Sequence, residues 1–377
     1  MEPMRVLHMI GTLETGGSQS FVLNIYRNID RNKLQFDFIV DHPDMMDYEM
    51  EFKQLGARVF IMPMFNGRNI VEIRNAWVKF FESHHEYKVL HSHVRSYASI
   101  YLPIAKKYGL KTIIHSHSTS NGSGLIAVAK SVLQFPLRYQ ADYYMACSKE
   151  AGEWLFGKKV CKSDKFLVAT NAIDAKVYAF NKRKREEARQ ELGLGDEFVL
   201  GFLARVVESK NPLFVIDVID ELLKIRPTAK LLYVGDGFLL ESVKEKAKRA
   251  GIEDSIVFTG TRKDVDRMLL AMDCYLLPSF WEGLGISLIE AQASGLKCLC
   301  SEFIPSSAIV TNLVEVIPIA KGSKSWAEKS IEYAIDYKRE EQYERIKSAG
   351  YNITENVDKI RDLYISICKN YDAMLGE

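Results

Sequence analysis

The feature that most restricts the fold is an alternation of short apolar runs with longer stretches of helical periodicity. Such runs occur at 6–10, 36–40, 59–62, 89–93, 112–115, 143–146 and 166–168, and again at 198–203, 231–234, 256–260, 274–277 and 298–301. Strands of this length separated by helical patterns predict parallel α/β sheets. A chain of 377 residues suits two such domains. The polar, charge-rich stretch 181–195, with Lys182-Arg183-Lys184-Arg185-Glu186-Glu187, marks the boundary between them. Domains 1–180 and 181–354 follow, with a final helical pattern at about 355–377 that carries Val357, Ile360, Leu363, Ile367 and Tyr371 on one face.

Several function classes are disfavoured. The net charge of +1 lacks the basic excess of a dedicated nucleic-acid binder. The six cysteines are scattered without paired metal-ligand spacing, which predicts reduced thiols and a cytosolic location. Met4–Ile10 is too short for the core of a signal peptide. No run of about 18 apolar residues is present, so no transmembrane helix is expected.

The most informative stretch is Pro278-Ser279-Phe280-Trp281-Glu282-Gly283-Leu284-Gly285, followed by Ile286, Leu288, Ile289, Glu290, Ala291 and Ala293 before Gly295. It predicts a loop from the carboxyl end of a buried strand to the amino end of a buried helix. Open α/β sheets bind ligands there, and a helix start suits a phosphate. Glu282 and Glu290 could accept hydrogen bonds from sugar hydroxyls, or could be a solvated loop residue and a helix-surface residue. Arg205 and Lys210 stand five residues apart after another strand, a spacing able to neutralise a diphosphate; singly, either reads as a surface charge. Gly11-Thr12-Leu13-Glu14-Thr15-Gly16-Gly17-Ser18 links a strand to a helix without the G-x-G-x-x-G of dinucleotide enzymes, and fits either a ligand loop or a tight turn.

Two histidine pairs, His91-Ser92-His93 and His115-Ser116-His117, fall at or just after strand ends. Period-two histidines can ligate metal. No carboxylate or cysteine cluster accompanies them, so the expectation is hydrogen-bonded structural histidines and no metal. Residues 101–165 hold ten Lys/Arg against four Asp/Glu, beside a pattern over Leu125–Tyr139 with Ile126, Ala129, Leu133 and Leu137 at helical spacing. This fits either a basic surface on anionic lipid or a core-facing helix with a solvated charged side.

Together these motifs resemble glycosyltransferase family 4. The resemblance rests on the E-x7-E pattern of Glu282 and Glu290 with Pro278-Ser279 and Gly295, and on Arg205-x4-Lys210-Asn211. It also includes Leu231–Gly237, Ile256–Arg262, Asn171-Ala172-Ile173-Asp174 and the Gly16-Gly17 loop. Ala204 replaces the family's glycine before Arg205. The tract Ile113–Thr119 is similar to the capsule and exopolysaccharide branch.

The resemblance implies a GT-B fold: two Rossmann-like parallel-sheet domains facing across a cleft, the C-terminal helix crossing back to the first. It implies a retaining, metal-independent hexosyltransferase without cofactor. The donor would be a nucleotide sugar, with UDP expected, and the acceptor a glycan or polyprenyl-linked molecule at an anionic membrane surface. Arg205, Lys210, Gly283, Leu284 and Gly285 would hold the diphosphate, and Gly260 and Arg262 would lie toward the base. Glu290 would bind the ribose. Glu282 would position the donor sugar, which His117 would contact, with His115 as its buttress. Gly16 and Gly17 would bind substrate from a glycine-rich loop of the first domain that faces the cleft. A sugar-nucleotide epimerase or hydrolase, and a catalytically silent sugar-nucleotide binder, are the alternatives.

Overall fold

The computed structural model describes residues 3–14, 16–44, 46–118 and 124–375, and the side chains of all of these but 125, 126 and 369–375. Thr15, Thr119 and the side chains of Ile126 and Tyr371, which belong to the motifs above, lie outside that set. The chain divides into two compact units, Met1–Ala172 with Ile353–Glu377, and Ile173–Asn352. Residues 173–180 therefore belong to the second unit, ahead of the charged stretch that suggests a boundary. Two contacts account for this. Ile173 bridges to Asn352, and the Tyr178 hydroxyl donates to Glu290.

The first unit holds a seven-stranded parallel sheet of β1 (Met4–Gly11), β2 (Leu34–Val40), β3 (Val59–Ile61), β4 (Val89–Ser92), β5 (Lys111–Ser116), β6 (Tyr143–Ala146) and β7 (Phe166–Val168). Their order is β3-β2-β1-β4-β5-β6-β7. The chain winds outward from β1 to β3, then returns to β4 on the other side. The carboxyl ends of β1 and β4 thus flank a topological switch point, where doubly wound sheets bind ligands.

Period two splits β1 between two cores. Val6 and Ile10 face the helices Gly17–Asn28 and Ile353–Leu375, meeting Phe21, Val22, Val357, Ile360 and Tyr364. Leu7 and Met9 face the other way, toward Trp77, Phe81, Tyr101 and Leu102. His8 shares the face of Val6 and Ile10. Beneath the sheet edge Asp37 is fully buried and accepts from Arg5, Arg58 and the Tyr87 hydroxyl.

The second unit holds β8 (Val199–Leu203), β9 (Lys230–Val234), β10 (Ile256–Gly260), β11 (Cys274–Leu277), β12 (Lys297–Cys300) and β13 (Val314–Val316), all parallel, in the order β10-β9-β8-β11-β12-β13. Its switch point lies between β8 and β11. The three-residue β13 is an edge strand absent from the sequence analysis, where Glu315 interrupts its apolar run.

One sequence expectation is corrected. The amphipathic pattern over Leu125–Tyr139 is not one helix: a helix spans Gly124–Gln134 and a separate turn spans Leu137–Gln140. Pro136 lacks an N–H and disfavours helical geometry at Phe135. Leu137 is buried as expected, but Ala129 is exposed, and so are Val128, Val132, Phe135 and Tyr139. Among the described residues no helix is long and apolar enough to cross a membrane.

Candidate functional site

In the second unit the loops leaving β8 and β11 meet at the switch point. Ser209 carbonyl oxygen accepts from the Phe280 N–H at 2.8 Å and the Trp281 N–H at 3.4 Å, binding the two loops backbone to backbone. Lys210 Nζ then reaches Glu282 Oε2 at 2.5 Å, and Ser279 Oγ donates to Glu282 Oε1 at 2.9 Å. Ser301 Oγ anchors the Ser279 carbonyl at 2.5 Å. Glu282 is thereby held on both oxygens, with its side chain only 8% exposed.

The Arg205 loop is set by glycine. Gly235, at φ +136°, would place a Cβ 2.0 Å from the Ala204 carbonyl oxygen, so only glycine lets these two loops touch. The Val206 N–H donates to the Asp236 carbonyl at 2.8 Å, and the Gly235 N–H donates to the Gly260 carbonyl at 2.9 Å.

Gly285 caps the helix Ile286–Ala293 in the left-handed region, at φ +81°, and no side chain caps that helix start. Its first N–H groups and the positive end of its dipole suit an anion. One turn on, Glu290 Oε1 accepts from the Tyr178 hydroxyl at 2.8 Å. Burial, with Asp266 nearby, pushes its carboxyl up to about 7, against the smaller opposing effect of the Tyr178 bond. Arg262 is engaged by carboxylates of its own and a neighbouring segment. Its guanidinium is bidentate on Asp264, at 2.8 and 2.7 Å, and reaches Glu191 at 3.3 Å.

In the first unit Gly16 is the extended residue before the helix Gly17–Asn28, and Asn171 Nδ2 donates to the Gly17 carbonyl at 3.4 Å. The N-x-I-D turn and the glycine loop are therefore neighbours. Next to them lies a cluster that the sequence showed only in part. His8 and His91 are register partners on β1 and β4, and the His93 N–H extends that ladder to the Met9 carbonyl. Five of the chain's eight histidines, His8, His91, His93, His115 and His117, consequently share one face.

Contacts are close within this cluster. His8 Nδ1 and His93 Nε2 are 3.1 Å apart, His93 Nδ1 and His117 Nε2 are 2.8 Å apart, and His91 Nδ1 meets the Tyr364 hydroxyl at 2.6 Å. His115 stacks on His117 at 3.9 Å between centroids. Of the ten ring nitrogens, five have no hydrogen-bond partner among the described residues: His8 Nε2, His91 Nε2, both of His115, and His117 Nδ1. Each such buried group costs roughly 1–3 kcal/mol. Burial holds all five rings well below the usual histidine range, His117 to about 3 with Arg95 adding to the effect.

His8, Tyr178 and Tyr364 were missed from sequence. His8 sits inside an ordinary strand pattern, and only the β1–β4 register reveals its neighbours.

The chain matches known proteins along most of its length. The family described as Glycosyltransferase Family 4 matches residues 15–177, and the family described as Glycosyl transferases group 1 matches residues 184–353. A putative glycosyltransferase EpsF of Bacillus subtilis is 28% identical over 377 residues, covering 96% of each chain. An Escherichia coli enzyme named UDP-Gal:alpha-D-GlcNAc-diphosphoundecaprenol alpha-1,3-galactosyltransferase is 24% identical, covering 76% of this chain and 77% of its own. Among solved structures, Anabaena HepE in complex with UDP superposes with a TM-score of 0.70 at 16% identity, over 99% of this chain and 100% of that one. WaaG, a glycosyltransferase of lipopolysaccharide biosynthesis, gives 0.64 at 17% identity, over 99% and 100%.

Proposed function

Because the chain belongs to glycosyltransferase family 4 and has the GT-B fold, we propose that it is a retaining hexosyltransferase using a nucleotide sugar, with UDP as the nucleotide. The acceptor is a glycan or lipid-linked molecule of surface polysaccharide synthesis. The observation that carries this reading is the junction of the Arg205–Lys210 loop with the Glu282 loop at the second unit's switch point. Support for the donor and acceptor classes comes from the UDP complex of HepE and the name of the E. coli relative.

On this reading Arg205, Lys210 and the helix start after Gly285 stabilise the diphosphate as the glycosidic bond breaks. Their charge is fixed in advance, which is how electrostatic preorganisation lowers a barrier. Gly283 and Leu284 contribute loop backbone, and Gly260 supports the floor through Gly235. With two cations there, the diphosphate needs no Mg²⁺. Glu290 accepts from ribose hydroxyls and Glu282 positions the sugar. His117, neutral and with Nδ1 unpartnered, contacts the sugar. The departing phosphate itself takes the acceptor's proton on the face it leaves, so configuration is retained through an oxocarbenium-like ion pair. Arg262, committed to Asp264 and Glu191, is kept for the base side of the site through its loop backbone alone.

The test is a panel of labelled nucleotide sugars with a polyprenyl-diphosphate-linked sugar acceptor, the product anomer being read by NMR. Transfer with the donor's configuration, at a rate unaffected by added Mg²⁺ or Mn²⁺, is expected. Free sugar or an epimerised nucleotide without transfer would show the hydrolase or epimerase reading instead.

A further inference from the structure

We propose that His8, His91 and His93, all in the first unit, form a binding site for one divalent transition-metal ion of the zinc class. One ring nitrogen from each of the three lies within 4.8 Å of the others. All three side chains are buried. An imidazole binds Zn²⁺ at about 2.0–2.1 Å, so two ligands of a tetrahedral ion stand roughly 3.3 Å apart. His8 Nδ1 and His93 Nε2 are already 3.1 Å apart. His91, held at Nδ1 by the Tyr364 hydroxyl, brings the third ring to the same pair.

Three further observations favour a metal over a purely hydrogen-bonded cluster. First, the ligands come from neighbouring strands in register, so backbone ladders and not loops fix their separation. Second, His91 has its other nitrogen on the Tyr364 hydroxyl and His93 has its other nitrogen on His117. Metal-ligating histidines are regularly oriented through their second nitrogen in this way. With Nε2 ligated, His91 Nδ1–H donates to Tyr364 and His93 Nδ1–H donates to His117 Nε2. The proton of His117 then lies on Nδ1. Third, His91 Nε2 is a buried nitrogen without a partner, and an ion would supply one.

The donor set names the metal class. Three neutral imidazoles without carboxylate or thiolate suit Zn²⁺, Co²⁺, Ni²⁺ or Cu²⁺, and not Mg²⁺, Ca²⁺ or Mn²⁺, which prefer oxygen. The two histidine pairs carry no such site by themselves; the pairing of β1 with β4 adds His8 to His91 and His93.

The experiment uses the full chain, produced without a polyhistidine tag, loaded with Zn²⁺ and dialysed before elemental analysis. About one Zn²⁺ per chain is expected. His91→Gln and His93→Gln should each lose the metal at least tenfold, while His115→Gln should keep it. Should a variant fail to fold, the wild-type protein still decides the matter. Co²⁺ loading should give the visible band of a nitrogen-ligated tetrahedral ion, and X-ray absorption on the Zn²⁺ form should count three imidazoles. No retained metal would overturn the proposal, leaving ordered water as the partner of these nitrogens. Equal retention in His91→Gln, or loss in His115→Gln to the same degree, would overturn it too.

Discussion

Lys210 Nζ lies 2.5 Å from Glu282 Oε2, so the cation assigned to the diphosphate and the carboxylate assigned to the sugar are partners before any donor arrives. Lysine has three N–H donors and can hold a phosphate oxygen and this carboxylate together. Removing either partner should therefore affect different measurements. Lys210→Ala should weaken nucleoside diphosphate binding by roughly 1.5–3 kcal/mol, the range of a hydrogen bond to a charged group. Glu282→Gln removes a competitor for the lysine, so calorimetry should show equal or tighter binding. Its kcat should fall by about 10²-fold, the scale of a misplaced reacting group. Weaker nucleotide binding in Glu282→Gln, or none of the loss in Lys210→Ala, would count against these roles.

The buried Asp37 carboxylate gives a stability prediction remote from the chemistry. Arg5 and Arg58, with the Tyr87 hydroxyl, outweigh burial and hold its pKa below the ordinary value. A depressed carboxyl contributes stability that is complete above the unfolded pKa and lost as pH falls through the folded one. Asp37→Asn should cost about 1–3 kcal/mol at neutral pH, since it removes a fully buried charged acceptor, while the partly exposed Arg58 keeps Glu86 and solvent. The deficit should narrow in acid. Denaturant melts at pH 7 and pH 3 measure both quantities.

The exposed residues Val128, Val132, Phe135 and Tyr139 recur at spacings of four, three and four, with Lys130 and Arg138 among them. Tyr139 is 74% exposed and Val132 68%. An apolar stripe within a basic stretch is the pattern of an interfacial surface, each cation adding about 1 kcal/mol near anionic lipid. Liposome co-sedimentation should require anionic lipid and fade as salt rises. Val132→Asp with Phe135→Asp should abolish pelleting without lowering nucleotide affinity. Equal pelleting on neutral vesicles is the contrary result.

Much of this was legible in the sequence because period and spacing are local. The strand run Cys274–Leu277, the loop to Gly285 and the helix carrying Glu290 follow from apolar pattern, proline and glycine alone. The Arg205–Lys210 spacing likewise survives into the structure, because one loop holds both residues. What stayed hidden depends on register and on side-chain packing. His8 joins the other histidines only because β1 pairs with β4, although His8 and His91 stand far apart in the chain. Tyr178 reaches Glu290 from a segment that sequence assigned to the other unit, and Arg262 turns out to be occupied by Asp264 and Glu191. The exposed apolar stripe was concealed for a different reason, since helical periodicity alone does not say which of two apolar faces is covered.

Glu290 supplies the sharpest test, because its protonation is poised at working pH. Its carboxyl is raised from the ordinary range to about 7, chiefly by burial. The folded state therefore binds a proton that the unfolded state has released, so stability declines as pH climbs from about 4.5 to about 7. Over that window the decline is on the order of 3 kcal/mol, since each tenfold change in proton affinity is worth about 1.36 kcal/mol. Glu290→Gln keeps an acceptor for the Tyr178 hydroxyl and removes the buried charge. It should melt at a higher temperature than the wild type at pH 8 and near the same temperature at pH 5. Binding should respond in the opposite direction. Ribose hydroxyls donate best to the ionised carboxylate, so nucleotide-sugar affinity should rise from pH 6 to pH 8, levelling above 7. A nucleotide sugar is the right probe, because its diphosphate has no proton to lose in that window, unlike a free diphosphate. In Glu290→Gln the profile should be flat and the affinity lower at pH 8, with a smaller loss in kcat than in Glu282→Gln, as expected for a group that binds ground state and transition state alike. A wild-type profile that is flat, or one that persists unchanged in Glu290→Gln, would remove Glu290 from the ribose.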